Sequence, residues 1–121
     1  MKEILIINGP NLNLLGNREK KFYGDTSLEK IKSLCENHCN KNDLKCIFFQ
    51  SNHEGEIIDK IQLVDHNYEG IIINPAAFTH TSIALLDTLR ATNKPKIEVH
   101  ISNIYSREDY RRKSITSEAV D

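Results

Sequence analysis

Four short apolar runs divide the chain into strand-like segments. They lie at residues 3–8 (EILIIN), 44–50 (LKCIFFQ), 70–74 (GIIIN) and 96–101 (KIEVHI). Each run is apolar at nearly every position of its centre, which is typical of parallel strands that are covered on both faces. The pattern therefore predicts four buried parallel strands.

Helical periodicity fills the intervals between these strands. Thr26 and Glu29 predict a capping box at the start of the first helix, whose apolar face includes Leu34. Pro95 disfavours helix in the residue before it and marks the end of the third helix. Helices are expected near residues 27–40, 55–67, 81–92 and 106–113.

The order of elements is β-α-β-α-β-α-β, followed by a short polar helix. This alternation predicts an α/β fold with a doubly wound parallel sheet, and a flavodoxin-like strand order of 2-1-3-4 is the natural choice. The length of 121 residues fits one domain, residues 1–121. Residues 114–121 carry no periodic pattern, so no regular element is predicted there.

The composition and net charge of the chain disfavour several classes of function. A net charge of −1 gives no basic surface for nucleic acid or for a membrane. The apolar runs are too short to span a bilayer, and no signal peptide precedes the first strand, so a cytoplasmic protein is expected. Three cysteines favour reduced thiols over a disulfide framework. A metal site at Cys35, His38 and Cys39 is the alternative, but Cys-x-x-Cys spacing is lacking.

Polar residues follow the three strands that neighbour one another in this sheet order. They are the segments 8–11 (NGPN), 74–80 (NPAAFTH) and 98–102 (EVHIS). Ligands of open parallel sheets bind outside the carboxyl ends of the strands, near the change in strand order. This rim therefore either holds a polar ligand or is bonded internally, because asparagine and serine are also common turn residues.

Two pairs of residues have the chemistry of acid–base catalysis. Arg18 and Tyr23 lie in one loop, where a guanidinium favours the phenolate form of a tyrosine. Glu98 and His100 are two residues apart, so on a strand they would share one face and Glu98 would orient the imidazole. An exposed arginine, an edge tyrosine and a structural Glu–His contact are the plainer alternatives. Phosphate-binding glycine patterns are missing, which disfavours a nucleotide binder of the same fold.

Several blocks together resemble the type II 3-dehydroquinate dehydratases, the small flavodoxin-like dehydroquinases of the shikimate pathway. The blocks are INGPNLNLLGNRE with FYG, FQSNHEGEIID, IIINPAAFTHTSIAL, IEVHISN and REDYRRKS, and they cover nearly the whole chain in the family's order. The resemblance implies dehydration of 3-dehydroquinate to 3-dehydroshikimate by anti elimination, with no cofactor, no metal and no covalent imine.

The resemblance also implies roles for catalytic residues. Tyr23 would remove the proton next to the ketone, and Arg18 would stabilise the tyrosinate. Asn11 would hold a water that stabilises the enolate. His100, oriented by Glu98, would protonate the departing hydroxyl. The loop that carries Arg18 and Tyr23 would then act as a lid.

Other residues would bind the substrate or a neighbouring subunit. Asp87 resembles an acid that reaches into the next subunit's site, and Arg107 resembles a structural or intersubunit arginine. The expected substrate-binding residues are Asn74, His80, Asp87, Ile101, Ser102 and Arg111, with Ile101 and Ser102 acting through backbone amides.

The resemblance carries two further expectations. Family members assemble as a dodecamer of trimers, so a homo-oligomer is expected. The family continues beyond the segment that matches residues 114–121 into a fifth strand and a last helix, so the chain is expected to be C-terminally truncated, with an exposed edge at strand 4. A binding or assembly module that has lost catalysis is therefore the alternative function.

Overall fold

A parallel four-stranded sheet forms the centre of the molecule. A computed structural model describes residues 1–16, 26–101 and 107–121. All strand pairs are parallel and the strand order is β2-β1-β3-β4, which confirms the predicted fold class and order. The strands are β1 (Lys2–Asn8), β2 (Leu44–Gln50), β3 (Gly70–Asn74) and β4 (Lys96–Glu98).

Five α-helices and several 3₁₀ turns surround this sheet in the described ranges. The α-helices are α1 (Leu28–Lys41), α2 (Glu54–Ile61), α3 (Val64–Asn67), α4 (Ile83–Ala91) and α5 (Asp109–Arg112). The 3₁₀ helices include Leu12–Leu14, Ala76–His80 and Thr116–Ala119. No helix within the described ranges has the length and apolar character that crossing a membrane requires.

The central strand β1 is covered on both of its faces. Leu5, Ile6 and Ile7 are consecutive and all buried, although successive side chains of a strand point to opposite faces. The main core joins β1 and β3 to the inner faces of α2, α3 and α4. Its buried members are Leu5, Ile7, Ile57, Ile61, Val64, Tyr68, Ile71, Ile73, Leu85 and Leu89.

Three helix predictions were wrong in detail. The N-cap of α1 is Ser27, whose hydroxyl accepts the Lys30 N–H, so the capping box at Thr26 does not form. Leu34 is 67 % exposed although periodicity placed it on the apolar face. The second predicted helix is two helices, because the Leu63 N–H bonds to the Lys60 carbonyl and tightens the chain between α2 and α3.

Strand β4 is shorter than predicted and lies at the edge of the sheet. The last pair in its ladder is Ile73 with Glu98, because the partner strand β3 ends one residue later, at Asn74. The Val99 N–H still bonds to the Ile73 carbonyl at 2.9 Å. Ile97 is 53 % exposed, as expected for an edge strand.

Residues 114–121, which we call the C-terminal segment, are ordered against the core. Ala119 and Val120 pack on the main core, and the Asp121 N–H bonds to the Lys96 carbonyl at 2.8 Å. The sequence predicted no regular element in this segment, and that prediction was wrong. The segment contains one 3₁₀ turn, which is too short to show a hydrophobic period.

Candidate active site

The carboxyl ends of the strands meet along one edge of the sheet. Asn8 lies in register with Gln50 of β2 on one side and with Asn74 of β3 on the other. Glu98 ends β4 beside Ile73. The predicted convergence of the polar segments after β1, β3 and β4 is therefore present in the fold.

The loop after β1 is held tightly to the loop after β3. The Gly9 N–H bonds to the Asn74 carbonyl at 2.8 Å. A Cβ at position 9 would lie 2.7 Å from the Pro75 carbonyl carbon and still closer to its oxygen, so only glycine fits. Asn74 is buried, and its side-chain oxygen accepts the Ala76 N–H at 3.1 Å.

Side-chain amides fix the conformation of the turn that contains Asn11. Asn11 has a left-handed backbone with φ of 68°, a conformation that asparagine adopts more readily than most residues. Its N–H bonds to the Asn52 side-chain oxygen at 2.9 Å. Gln50 donates to that same oxygen at 3.2 Å and to the Gly9 carbonyl at 3.1 Å. We call Asn11, Gln50 and Asn52, with Gly9, the amide side of the edge.

Glu98 and His100 form a direct hydrogen bond at the other side of the edge. The His100 Nε2 atom lies 2.6 Å from the Glu98 Oε2 atom, and these side chains are 19 % and 5 % exposed. The predicted contact is therefore present. Its predicted basis, alternation along one strand, was wrong because β4 ends at Glu98 and His100 lies in the following loop.

Three hydroxyl groups surround the same carboxylate. Thr116 donates to Glu98 Oε1 at 2.6 Å, while Thr79 and Ser114 lie 3.1 Å from Oε2. Thr79 and Thr116 are fully buried. We call Thr79, Ser114 and Thr116 the hydroxyl cluster.

The surroundings of Glu98 favour its ionised form. Burial raises the pKa of Glu98, but hydrogen bonds from His100, Thr116 and Ser114 together with the His100 charge outweigh burial and hold this pKa below its usual value. An ionised carboxylate only accepts hydrogen bonds, so His100 donates to it through Nε2.

The other predicted binding residues make separate contacts or are exposed. His80 Nδ1 lies 2.6 Å from the Lys113 carbonyl. Arg111 lies on α5, and its Nε atom is 3.2 Å from Oε2 of Glu108, the residue before that helix. Asp87 is exposed in the middle of α4, and Ile101 is partly exposed at the end of a described range.

Arg18, Tyr23 and Ser102 lie outside the described residues. Arg107 is described and buried, with its Nε atom 3.6 Å from a carboxylate oxygen of Glu108.

The cysteines and metal-binding residue types do not form a second site in the described part of the chain. There, no group of three or more histidine, cysteine, aspartate or glutamate side chains is arranged to hold a metal ion. Cys35, Cys39 and Cys46 are free thiols. Burial and the neighbouring Cys39 raise the pKa of the Cys46 thiol to about 11, which keeps it protonated at neutral pH.

Sequence reasoning missed five residues at this edge, namely Gln50, Asn52, Thr79, Ser114 and Thr116. The first four lie inside the motif blocks FQSNHEGEIID, FTHTS and REDYRRKS. A hydroxyl or amide side chain inside such a block is the one sequence signal that could have identified these four residues. Thr116 lies beyond the blocks and carries no such signal.

Comparisons with known proteins agree with one another. The sequence profile of the family described as Dehydroquinase class II matches residues 2–121. A 3-dehydroquinate dehydratase of Clostridium botulinum is 57 % identical over 98 % of this chain and 81 % of its own length. One from Caldicellulosiruptor saccharolyticus is 56 % identical over 98 % of this chain and 83 % of its own.

Solved structures show the same likeness. A type II dehydroquinase from Butyrivibrio crossotus superimposes with a TM-score of 0.96 at 45 % identity, covering 99 % of this chain and 84 % of that one. One from Propionibacterium acnes gives 0.95 at 37 % identity, covering 99 % and 83 %.

Proposed function

The chain belongs to the class II dehydroquinase family, and from this premise we propose that it dehydrates 3-dehydroquinate to 3-dehydroshikimate in the shikimate pathway. The observation that carries the proposal is the partly buried Glu98–His100 pair at the carboxyl edge of the sheet. Relatives that match over nearly the whole chain are named as the enzyme, which favours catalysis over a binding module.

The first step is removal of the proton next to the ketone. Tyr23 acts as the base, and Arg18 stabilises its phenolate, because a tyrosine with a reference pKa of about 10 is a weak base at neutral pH without a cationic neighbour. The electron pair of the broken C–H bond moves onto the ketone oxygen and gives an enolate. Asn11 holds the water that donates to this oxygen.

The second step is loss of the hydroxyl group as water. Because His100 donates its Nε2 proton to Glu98, Nδ1 is the nitrogen that passes a proton to the departing hydroxyl. The enolate collapses to the conjugated enone as the C–O bond breaks. Glu98 stays ionised throughout and stabilises the imidazolium that precedes this proton transfer.

The remaining residues bind and orient the substrate. Asn74 and the backbone amides of Ile101 and Ser102 hold its carboxylate. His80 and Arg111 bind the ring hydroxyls. His80 is suited to this because its Nδ1 donates to the Lys113 carbonyl, which leaves Nε2 to accept a hydrogen bond. Together these contacts orient the ring between base and acid.

We further propose that the chain acts as a cytoplasmic homo-oligomer. An odd number of cysteines, all free thiols, is typical of a reducing compartment. Exposed apolar side chains at Ile83 and Ile97, together with the exposed carboxylate of Asp87, give α4 and β4 a surface that suits a second copy. In a dodecamer built from trimers, Asp87 would reach the neighbouring site. Native mass spectrometry tests the assembly.

The direct test is an absorbance assay for the conjugated enone product. Tyr23→Phe is expected to lower kcat by about 10³-fold because the base is lost. Tyr110→Phe is the matched control, since Tyr110 is 67 % exposed on α5, and its kcat is expected to stay within about twofold of the unchanged chain. Equal activity of the two variants would contradict the role of Tyr23.

A second test addresses the absence of a covalent intermediate. Borohydride added with substrate traps an imine between a lysine and a ketone, so retained activity is expected here. Substrate-dependent inactivation, with a mass increase on a lysine, would contradict the proposed reaction.

A further inference from the structure

We infer that Thr79, Ser114 and Thr116 are positioning residues, which act on the dehydration through Glu98 by fixing its carboxylate as the acceptor for His100. This inference rests on the proposed function. None of the three hydroxyls belongs to the set expected to touch the substrate. They form a shell behind the Glu98–His100 pair.

The donors around Glu98 match the capacity of an ionised carboxylate. Such a group accepts about four hydrogen bonds and donates none. Glu98 is contacted by His100 at 2.6 Å, Thr116 at 2.6 Å, and Thr79 and Ser114 at 3.1 Å each. The cluster therefore surrounds the carboxylate with donors and fixes the direction of the oxygen that faces His100.

The contacts within the cluster also link the three hydroxyls to one another. Thr79 Oγ1 also lies 2.7 Å from Ser114 Oγ and 2.6 Å from Thr116 Oγ1. Each hydroxyl has one proton, so three protons serve five short oxygen–oxygen contacts. When Thr116 and Ser114 donate to the two oxygens of Glu98, Thr79 gives its single proton to one neighbour at a time, so the cluster supplies two or three donors to the carboxylate.

Neutral donors suit this position better than a cation. A lysine or arginine beside Glu98 would neutralise its charge and weaken its attraction for the imidazolium of His100. Hydroxyl groups satisfy the buried oxygens and leave the negative charge in place. His100 is therefore the partner toward which that charge acts.

The cluster also connects Glu98 to a second part of the site. The Ile115 N–H bonds to the Thr79 carbonyl at 2.6 Å, so the C-terminal segment is tied to the turn at Ala76–His80. The adjoining residues His80 and Lys113 are bonded at 2.6 Å. The position of His80 and the environment of Glu98 thus depend on the same two chain segments.

The main experiment compares Thr116→Val with Thr116→Ser. Valine keeps the shape of threonine and removes the hydroxyl, so kcat is expected to fall about tenfold, as for loss of one hydrogen bond to a charged group, while KM changes little. Serine keeps the hydroxyl and is expected to restore most of kcat. Thr92→Val is the matched control, because Thr92 is buried and its hydroxyl bonds to the Thr88 carbonyl instead.

A double-mutant cycle separates positioning from packing. In a Glu98→Gln background, Thr116→Val is expected to cause no further loss of kcat, because its effect passes through the carboxylate. Additive losses in the cycle, or unchanged kcat in Thr116→Val alone, would overturn the inference. Thermal melting checks folding, and Ser114→Ala replaces Thr116→Val if the latter does not fold.

A measurement that needs no turnover keeps this inference distinct from the proposed function. Proton–nitrogen NMR of the neutral imidazole, recorded at high pH, is expected to show His100 with its proton on Nε2 in the unchanged chain, and a mixture of tautomers in Thr116→Val. The same tautomer and the same proton exchange rate in both would overturn the inference. Absence of enone from the unchanged chain would instead reject the proposed reaction.

Discussion

The two sides of the carboxyl edge are built from different chemistry. On the amide side, neutral groups bond mainly to the backbone, as Gln50 does to the Gly9 carbonyl and Asn52 to the Asn11 N–H. On the side of the hydroxyl cluster, buried side chains bond to one another around the charge of Glu98. The amide side therefore determines the shape of a loop, whereas the other side surrounds the carboxylate of the Glu98–His100 pair.

The largest effect is expected from removing the charge of Glu98. Glu98→Gln places an N–H₂ donor opposite hydroxyl groups that need an acceptor. It also leaves the His100 imidazolium without its anion. We expect kcat to fall by about 10²–10³-fold, within the range for general acid catalysis. Steady-state kinetics measure this loss, with the exposed Glu118→Gln as control. A kcat within threefold of the unchanged chain would contradict the charged role.

The next effect concerns shape on the amide side. Gly9→Ala places a Cβ against the Pro75 carbonyl, so β1 and β3 must move apart at their ends. We expect a loss of about 3 kcal/mol in the free energy of unfolding, the upper end of overpacking effects. Urea denaturation measures this loss. Gly55→Ala is the control, because a Cβ there meets nothing within 4 Å. Similar stabilities of the two variants would refute the close approach.

A smaller effect is expected at Gln50. Gln50→Leu removes the donor to the Gly9 carbonyl and to the Asn52 side chain while keeping most of the volume. The expected loss is about 1 kcal/mol in the free energy of unfolding. Denaturation of Gln62→Leu, which changes an exposed glutamine, supplies the reference. If both variants unfold at the same denaturant concentration, the amide side contributes little to stability.

The smallest effect is a difference in how the two sides change the pH dependence of the free energy of unfolding. The pKa of Glu98 is lowered in the folded chain, so its ionisation stabilises the fold above the unfolded value of about 4.3 and this contribution is lost as pH falls below it. The stability difference between Glu98→Gln and the unchanged chain should shrink as pH falls below about 4.3 and through the lowered pKa of folded Glu98. The stability difference between Gln50→Leu and the unchanged chain should stay constant over the same pH range. If the free energy of unfolding changes with pH in the same way in both variants, the two sides do not differ in charge dependence.

The sheet was predictable because its signal is local. The bounds of β2 and β3 match their apolar runs, and the alternation of strands with helices was enough for the strand order. Periodicity placed Leu34 on the apolar face of α1. It could not predict what covers that face, so the exposure of Leu34 was missed.

The site was only partly predictable because its contacts are distant in sequence. Glu98 and His100 are two positions apart and could be paired by inspection. Thr79 meets Thr116 across 37 positions, and the turn that carries Thr116 is too short to have a period. The left-handed Asn11 likewise depends on Asn52, 41 positions away. Residue type alone does not distinguish such partners from ordinary turn residues.

The missing side chain at Gly9 also limits how the site can be redesigned. The loop after β1 and the loop after β3 touch through backbone atoms, with no side chain between them to absorb a change. A transplanted loop from a homologous protein would therefore fit only together with its counterpart. Libraries that diversify this rim should vary the segments 9–13 and 74–80 as a linked pair.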